Sequence, residues 1–219
     1  DAQTFRLFKE RMQTRYRTID ALNAQWGTGY ASWEDLRDFP RPGADYDPAV
    51  SVAPSLQHRL FMDDLFIDTI AENRRQLKAL DPRNRFGLSG TRDPGHYSGF
   101  DWWKLMNNID HLTFYDGIQR EAIRSFRKPG DFITSFIGYD FYSLSERNAR
   151  WFPWYELFSG MQGVAIYAAS SADYHGFVNH DLTLPLKTRW LLEDVRELKG
   201  GVGKAILTAT RERAPIAVL

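Results

Sequence analysis

Short apolar, β-prone runs recur between residues 83 and 171, and each run ends in polar and aromatic residues. The four runs are Arg85–Thr91, His111–Gly117, Phe132–Asp140 and Gly163–Ser170. The stretches between the runs are long enough for a helix, and strands that alternate with helices form a parallel sheet. The pattern therefore predicts an α/β fold whose functional residues lie at the carboxyl ends of the strands.

Helical periodicity fills most of the remaining chain. Apolar residues recur at three- and four-residue spacing in Thr4–Tyr16 and Pro54–Leu80, and a short helix is expected between Thr18 as N-cap and Gly27. Four further helices are predicted between and after the strands, at Phe100–Asn107, Glu121–Phe126, Ser145–Gly160 and Leu184–Lys199. Four βα units form either half of an eight-stranded barrel or a small doubly wound sheet.

The Gly-rich segment Gly200–Gly203 bears on that choice. It follows a predicted helix rather than a strand, so it is neither a phosphate loop nor a dinucleotide fingerprint. The half-barrel is therefore the better fit. The segment is interpreted as a flexible joint, and Lys204–Thr210 and Ile216–Leu219 are predicted to be strands of a further domain. The expected domains are thus residues 1–199 and 200–219.

Composition narrows the class of protein. Lys plus Arg and Asp plus Glu are balanced at 28 each, which gives no reason to expect nucleic acid or an anionic membrane as partner. No apolar run approaches the ~18 residues of a membrane helix. The absence of cysteine excludes disulfides and thiolate metal sites, and it leaves a cytoplasmic, bacterial periplasmic or secreted location open. Seven Trp residues and an aromatic fraction of 15% suit ligands with apolar faces, sugars included.

Two segments carry a family resemblance. Arg15-Tyr-Arg-Thr-Ile-Asp-Ala-Leu-Asn-Ala-Gln-Trp-Gly-Thr28, followed by Ser32-Trp-Glu-Asp35, resembles a segment of family 42 glycoside hydrolases, the β-galactosidases. Lys204–Leu219 resembles the entry into the family's flavodoxin-like second domain, which serves trimerisation. The resemblance implies a partial (β/α)8 TIM barrel in which this chain supplies strands five to eight. It also implies a carbohydrate substrate and a possible homo-trimer. No cofactor or metal site is expected.

The resemblance further implies a retaining mechanism, in which two carboxyl groups ~5 Å apart flank the glycosidic bond. The acid/base Glu is expected upstream of Asp1. The nucleophile is expected to be a Glu at the end of strand seven, but the matching run Ile133–Asp140 contains no Glu. Asp140 is the nearest carboxylate and the candidate nucleophile; its alternative role is to cap the following helix or turn.

The candidate substrate-binding residues share a place at or just after a strand end: Thr91, Trp102, Tyr115, Asp116, Tyr139, Glu146, Tyr167 and His175. Several have structural alternatives, since Asp116 begins an Asp-Gly turn and Glu146 stands at a helix start. Neighbours on a helix diverge, so only one of Trp102 and Trp103 can face a pocket. His175 with His180 and Asp181 lacks a third well-spaced metal ligand, which favours sugar hydrogen bonding or loop structure.

Three functions remain open. The first is a glycoside hydrolase, here as a fragment, that acts on β-galactosides or related carbohydrates. The second is a non-catalytic carbohydrate-binding or scaffold relative with the same barrel, which the missing strand-seven Glu favours. The third is a different α/β enzyme with the same layout.

Overall fold

The computed structural model describes residues 1–40, 51–91, 100–115, 117, 119–137, 145–167, 169, 176–210 and 212. The chain forms two compact units, Asp1–Asn73 and Arg74–Leu219. The domain boundary predicted at residue 199 stays a prediction, because residues 213–219 lie outside the described part of the chain.

The first unit is helical. It contains α1 (Ala2–Tyr16), α2 (Ile19–Trp26), a short 3₁₀ helix at Trp33–Asp35 and the first part of α3 (Ala53–Leu80). These bounds confirm the predicted helices to within two residues. Apolar side chains from all of these parts form one core, whose buried members are Phe8, Met12, Leu22, Trp26, Leu36 and Phe61.

The end of α2 is fixed by a local network. The side-chain nitrogen of Asn23 donates to the backbone carbonyl of Tyr30 at 2.8 Å, and the side-chain oxygen of Asn23 accepts from the Thr28 hydroxyl at 2.8 Å. The indole nitrogen of the buried Trp26 donates to the Tyr16 hydroxyl at 3.1 Å. Gly27 ends the helix with a φ of 71°, a left-handed conformation that glycine adopts without steric cost. These residues therefore shape the chain rather than supply reactive groups.

The second unit contains a parallel sheet. Its strands are β1 (Gly87–Thr91), β2 (His111–Tyr115), β3 (Phe132–Ile137) and β4 (Gly163–Ile166). They lie in sequence order, and each neighbouring pair is parallel. The connecting helices are α4 (Trp102–Asn107), α5 (Gln119–Phe126) and α6 (Glu146–Phe158), and α7 (Leu186–Glu197) follows the last strand. This confirms the predicted βα order.

The two faces of the sheet differ because successive side chains on a strand point to opposite sides. One face packs against helices: Leu112, Phe114 and Ile133 are fully buried, and Val164 and Ile166 pack around Leu191 of α7. We call this the helix-side face. The other, which we call the inner face, carries three cross-strand pairs from β2 and β3, namely His111 with Phe132, Thr113 with Thr134 and Tyr115 with Phe136.

A buried ion pair joins α5 to α6. Both terminal nitrogens of Arg120 donate to the carboxylate of Glu156, at 2.8 and 2.6 Å. The two residues are only 4% and 1% exposed. The guanidinium lies between the ring of Phe114, 5.6 Å away, and the ring of Tyr155, 4.6 Å away. Its charge is thus satisfied by the carboxylate and by two aromatic faces.

A second ion pair network ties the last turns of α3 to the amino end of β2. Asp110 accepts from Arg74 at 2.7 Å, lies 3.0 Å from the Lys78 amine, and accepts from the backbone N–H of Phe86 at 3.3 Å. Burial alone would raise the pKa of Asp110, but the hydrogen bonds from Arg74 and Lys78 outweigh it and lower the pKa from 3.8 to about 2.

The shifted pKa of Asp110 predicts an acid sensitivity. Because the folded-state pKa is below that of the unfolded chain, this contribution to stability is present above pH 3.8 and is lost as the pH falls through about 2. We expect Asp110→Asn to lower the free energy of unfolding by about 2 kcal/mol near neutral pH. Between pH 3.8 and about 2, the free energy of unfolding of this variant should fall less steeply than that of the wild type. Urea titrations across the range measure both effects, with Asp68→Asn on an exposed turn of α3 as control. Parallel acid profiles for wild type and Asp110→Asn would refute the assignment.

The end of the chain differs from the prediction. Lys204–Thr210 was expected to be a strand, but Gly203–Thr208 forms a helix, α8, so this prediction is wrong. The chain kinks between α7 and α8 at Gly201, whose φ of 132° is not helical. The helix begins at the buried Gly203, where an added Cβ would meet the Leu198 carbonyl at 2.8 Å. The predicted strand at residues 216–219 lies outside the described residues.

Candidate functional site

Aromatic rings cover the carboxyl ends of three neighbouring strands on the inner face. Tyr115 ends β2, Phe136 lies beside it on β3, and Tyr167 follows the last residue of β4. The Tyr115 and Phe136 rings meet edge to face at 4.8 Å, and the Phe136 and Tyr167 rings lie 6.0 Å apart. Tyr115 is 39% exposed and Tyr167 is 51% exposed. We call these three residues the rim aromatics; they offer a ligand apolar ring surface and two phenol groups.

Polar side chains continue the inner face toward the amino ends of the strands. The hydroxyls of Thr113 and Thr134 are 2.8 Å apart, and both residues are buried. The Nε2 atom of His111 lies 3.1 Å from the Thr113 hydroxyl. Burial lowers the pKa of His111, and the positive charge of Arg85 lowers it further. The imidazole thus joins a chain of hydroxyl groups that crosses β2 and β3 below the rim aromatics.

A bulge distorts β1 at the same rim. The pairing register between β1 and β2 shifts between Ser89 and Thr91, so that the Cα of Thr91 pairs with Phe114. Gly90, between them, has a φ of 80°, and a Cβ added there would lie 3.7 Å from the Tyr115 ring. Bulges often occur beside active sites, where they redirect a side chain. Thr91 is the last residue of β1 and pairs with a residue of the helix-side face, and its substrate-binding role stays a prediction.

The paired tryptophans of α4 diverge as expected. Trp102 is 6% exposed and packs edge to face on Phe100 at 5.6 Å, whereas Trp103 is 58% exposed. The indole nitrogen of Trp102 has no hydrogen-bond partner among the described residues. Only a small part of the Trp102 ring can meet a ligand, so a substrate-binding role for this residue stays a prediction.

Glu146 has a structural partner. It lies exposed in the first turn of α6, and its carboxylate accepts from the Arg150 guanidinium at 2.9 Å. Arg150 also pairs with Glu193 and Asp194 of α7. The hydrogen bonds from Arg150 to Glu146 and Glu193 raise the pKa of the guanidinium. The contacts of Glu146 thus agree with the structural alternative given for it, that of a residue at the start of a helix.

Four predicted site residues lie outside the described part of the chain. They are the candidate nucleophile Asp140 and the candidate binding residues Asp116, Tyr139 and His175. Within the described ranges, no three His, Asp or Glu side chains are grouped closely enough to hold a metal ion. In the same part of the chain no helix has the length and apolarity needed to span a bilayer.

Sequence reasoning missed two features. Phe136 was not singled out, although its two-residue spacing from Phe132 and Thr134 on a strand is a signal for a shared face. Arg120 and Glu156 were also missed, since they lie 36 residues apart and nothing in the sequence pairs them.

A four-stranded parallel sheet with alternating helices has the layout of half of a (β/α)8 barrel, and its inner face carries aromatic and polar groups at the carboxyl edge. The sequence model of glycoside hydrolase family 42, described as beta-galactosidase, matches residues 2–159. The chain belongs to this family. This confirms the resemblance drawn from Arg15–Thr28. No curated protein matches the sequence.

Solved structures agree on the fold. The beta-galactosidase from the psychrophilic Marinomonas ef1 has a TM-score of 0.65 at 12% identity, with 94% of this chain and 38% of that chain covered. The agarase AgWH50C has a TM-score of 0.63 at 14% identity, with 94% of this chain and 32% of the agarase chain covered. The beta-galactosidase from the Antarctic haloarchaeon Halorubrum lacusprofundi has a TM-score of 0.62 at 14% identity, with 88% of this chain and 34% of that chain covered. The chain thus spans about a third of the length of these structures.

Proposed function

We propose that this chain is the half of a retaining glycoside hydrolase barrel that binds the sugar, with β-galactosides or related carbohydrates as substrates. The observation that carries the proposal is the row of rim aromatics on three adjacent strand ends. Flat rings suit the C–H face of a sugar, while phenol groups exchange hydrogen bonds with its hydroxyls. Family membership supports a carbohydrate ligand, and the carboxyl edge is where barrels of this kind place their active sites.

Asp140 is proposed as the nucleophile. Its carboxylate would attack the anomeric carbon and form a covalent glycosyl intermediate, which water then releases with net retention. The position supports this role because Asp140 follows β3 by three residues, and β3 carries Phe136 at the rim. The acid/base carboxyl group and the remaining strands are expected from the rest of the full-length protein.

A non-catalytic carbohydrate-binding relative is the second candidate. The observation that favours it is the lack of Glu in Ile133–Asp140, where the family resemblance calls for one. A barrel that keeps its aromatic rim but lacks a competent nucleophile would still bind sugars. The two candidates therefore differ in turnover and not in binding.

Hydrolysis of an aryl β-galactoside by the full-length protein tests the proposal. We expect Asp140→Asn to abolish turnover while tyrosine and tryptophan fluorescence still report galactoside binding. Asp140→Gly supplied with azide should yield an α-galactosyl azide, because the small anion attacks the face from which the carboxylate acts. Glu121→Gln is the matched control, since that carboxylate is exposed and paired with Arg124.

The outcomes separate the candidates. Unchanged turnover in Asp140→Asn rejects Asp140 as nucleophile. Binding without turnover in the wild type supports the non-catalytic relative. Absence of both turnover and galactoside binding rejects a galactoside substrate.

A further inference from the structure

An exposed tryptophan on α6 is held in a stacked arrangement. Trp151 is 53% exposed, and its indole stacks on the ring of Tyr155, one turn later, at 4.3 Å with an angle of 20° between the planes. One face of the indole is therefore covered, and the exposed fraction belongs to the opposite face and the ring edge. Single exposed aromatic residues are common, but this one has a fixed orientation.

The orientation of Trp151 is fixed by contacts on its buried side, through Tyr155 to Arg120. The guanidinium of Arg120 lies 4.6 Å from the Tyr155 ring. The stacked indole and the cation cannot occupy the same face of that ring, so Tyr155 lies between them. Arg120 is itself buried and held by two hydrogen bonds to Glu156. Trp151, Tyr155 and Arg120 thus form one stack that runs from the surface to the buried ion pair. Because the indole is already held in place, it loses little side-chain entropy when a ligand covers it.

The surroundings of the indole disfavour an anionic ligand and offer hydrogen-bond donors. Arg150 is paired with Glu146 of its own helix and with Glu193 and Asp194 of α7, so carboxylates outnumber cations in this cluster beside Trp151. Arg147 and Asn148 are exposed and lie one turn before Trp151, on the same side of the helix. Their side chains offer hydrogen-bond donors beside a flat apolar face. An excess of carboxylates gives no attraction for nucleic acid or for an anionic membrane.

We propose that Trp151 forms a second carbohydrate-binding site, on the outer helix layer and separate from the rim aromatics, that takes a neutral galactan chain. The indole would stack on one sugar ring, with Arg147 and Asn148 at its hydroxyls. The choice of ligand rests on the proposed function, whereas the position and rigidity of the ring do not. Such a site would hold the protein on a polymer while the strand-end site takes a chain end.

Native gel electrophoresis of the full-length protein in gels that contain soluble agarose or a soluble galactan tests this site. We expect retardation of the wild type, and Trp151→Ala should weaken the apparent affinity about tenfold, which corresponds to the loss of one stacking contact. Trp151→Phe should weaken it less, because a smaller ring remains. Trp103→Ala is the matched control: Trp103 is exposed to a similar extent, at 58%, and should not affect retardation.

Failure of this site and failure of the proposed function give different results. Tyr115→Ala should impair binding of aryl galactosides and leave retardation by the polymer intact. Equal retardation of Trp151→Ala and wild type, or no retardation of the wild type, would overturn the second site whatever the turnover. A change in oligomeric mass of Trp151→Ala by light scattering would assign the indole to a protein interface and overturn the site as well.

Discussion

Replacing Arg120 with alanine is expected to destabilise the protein by about 3–5 kcal/mol, since it leaves the carboxylate of Glu156 buried and unpaired. Both partners are almost fully buried, and they are joined by two short hydrogen bonds. The substitution also removes the cation from between Phe114 and Tyr155 and leaves space in the layer between the sheet and the helices. The free energy of unfolding from urea titration followed by circular dichroism gives the cost.

Two further variants decide whether the cost comes from the uncompensated charge. Arg124→Ala removes an exposed ion pair with Glu121 on the same helix, and it should cost less than about 1 kcal/mol. The double variant Arg120→Met, Glu156→Leu removes both charges and should cost less than Arg120→Ala alone. A double variant that is as unstable as the sum of the single ones would show that packing around the pair, and not charge, dominates.

Gly87→Ala is expected to disrupt the pairing of β1 with β2. A Cβ at this position would lie 2.1 Å from the carbonyl oxygen of His111 and 2.7 Å from its carbonyl carbon, both of them backbone atoms of the adjacent strand. Backbone cannot rotate away as a side chain can, so the strands must separate where Gly87 pairs with His111. We expect a loss of about 3 kcal/mol or more.

Hydrogen exchange localises this effect. The amides of β1 and β2 should lose protection in Gly87→Ala, and those of β4 should lose less. Gly200→Ala is the control, because no atom lies within 4 Å of its added Cβ and its φ is not in the left-handed region. That change should stay within about 0.5 kcal/mol of wild type. Normal protection of β1 in Gly87→Ala would contradict the close approach of the two strands.

Features that depend on neighbouring residues were predicted well from the sequence. The start of α2 at Thr18 and its end at Gly27 follow from hydrogen bonds and a φ value that span only a few residues. The βα order follows from the spacing of the apolar runs. Tyr115 and Tyr167 were placed at strand ends by the same pattern, and their rings lie on either side of Phe136.

Features that depend on distant residues were not predicted. Arg120 and Glu156 meet because α5 and α6 pack side by side, and neither residue differs in sequence from an ordinary helix-surface charge. The segment after Gly203 was misread because its apolar residues Ala205, Ile206 and Leu207 are too few to distinguish a strand period from a helical one. The kink that leads into α8 has no signal in the sequence beyond its glycines.

The residues that identify the family most clearly, Asn23, Trp26, Gly27 and Thr28, terminate a helix and carry no chemistry. Their contacts stabilise the end of α2 whether or not the strand-end site cleaves sugars. A match to this motif therefore identifies the family and does not show that a protein is an active enzyme. The segment that follows β3 in the sequence, and not the helix-ending motif, contains the proposed nucleophile and is the part to compare when activity is in question.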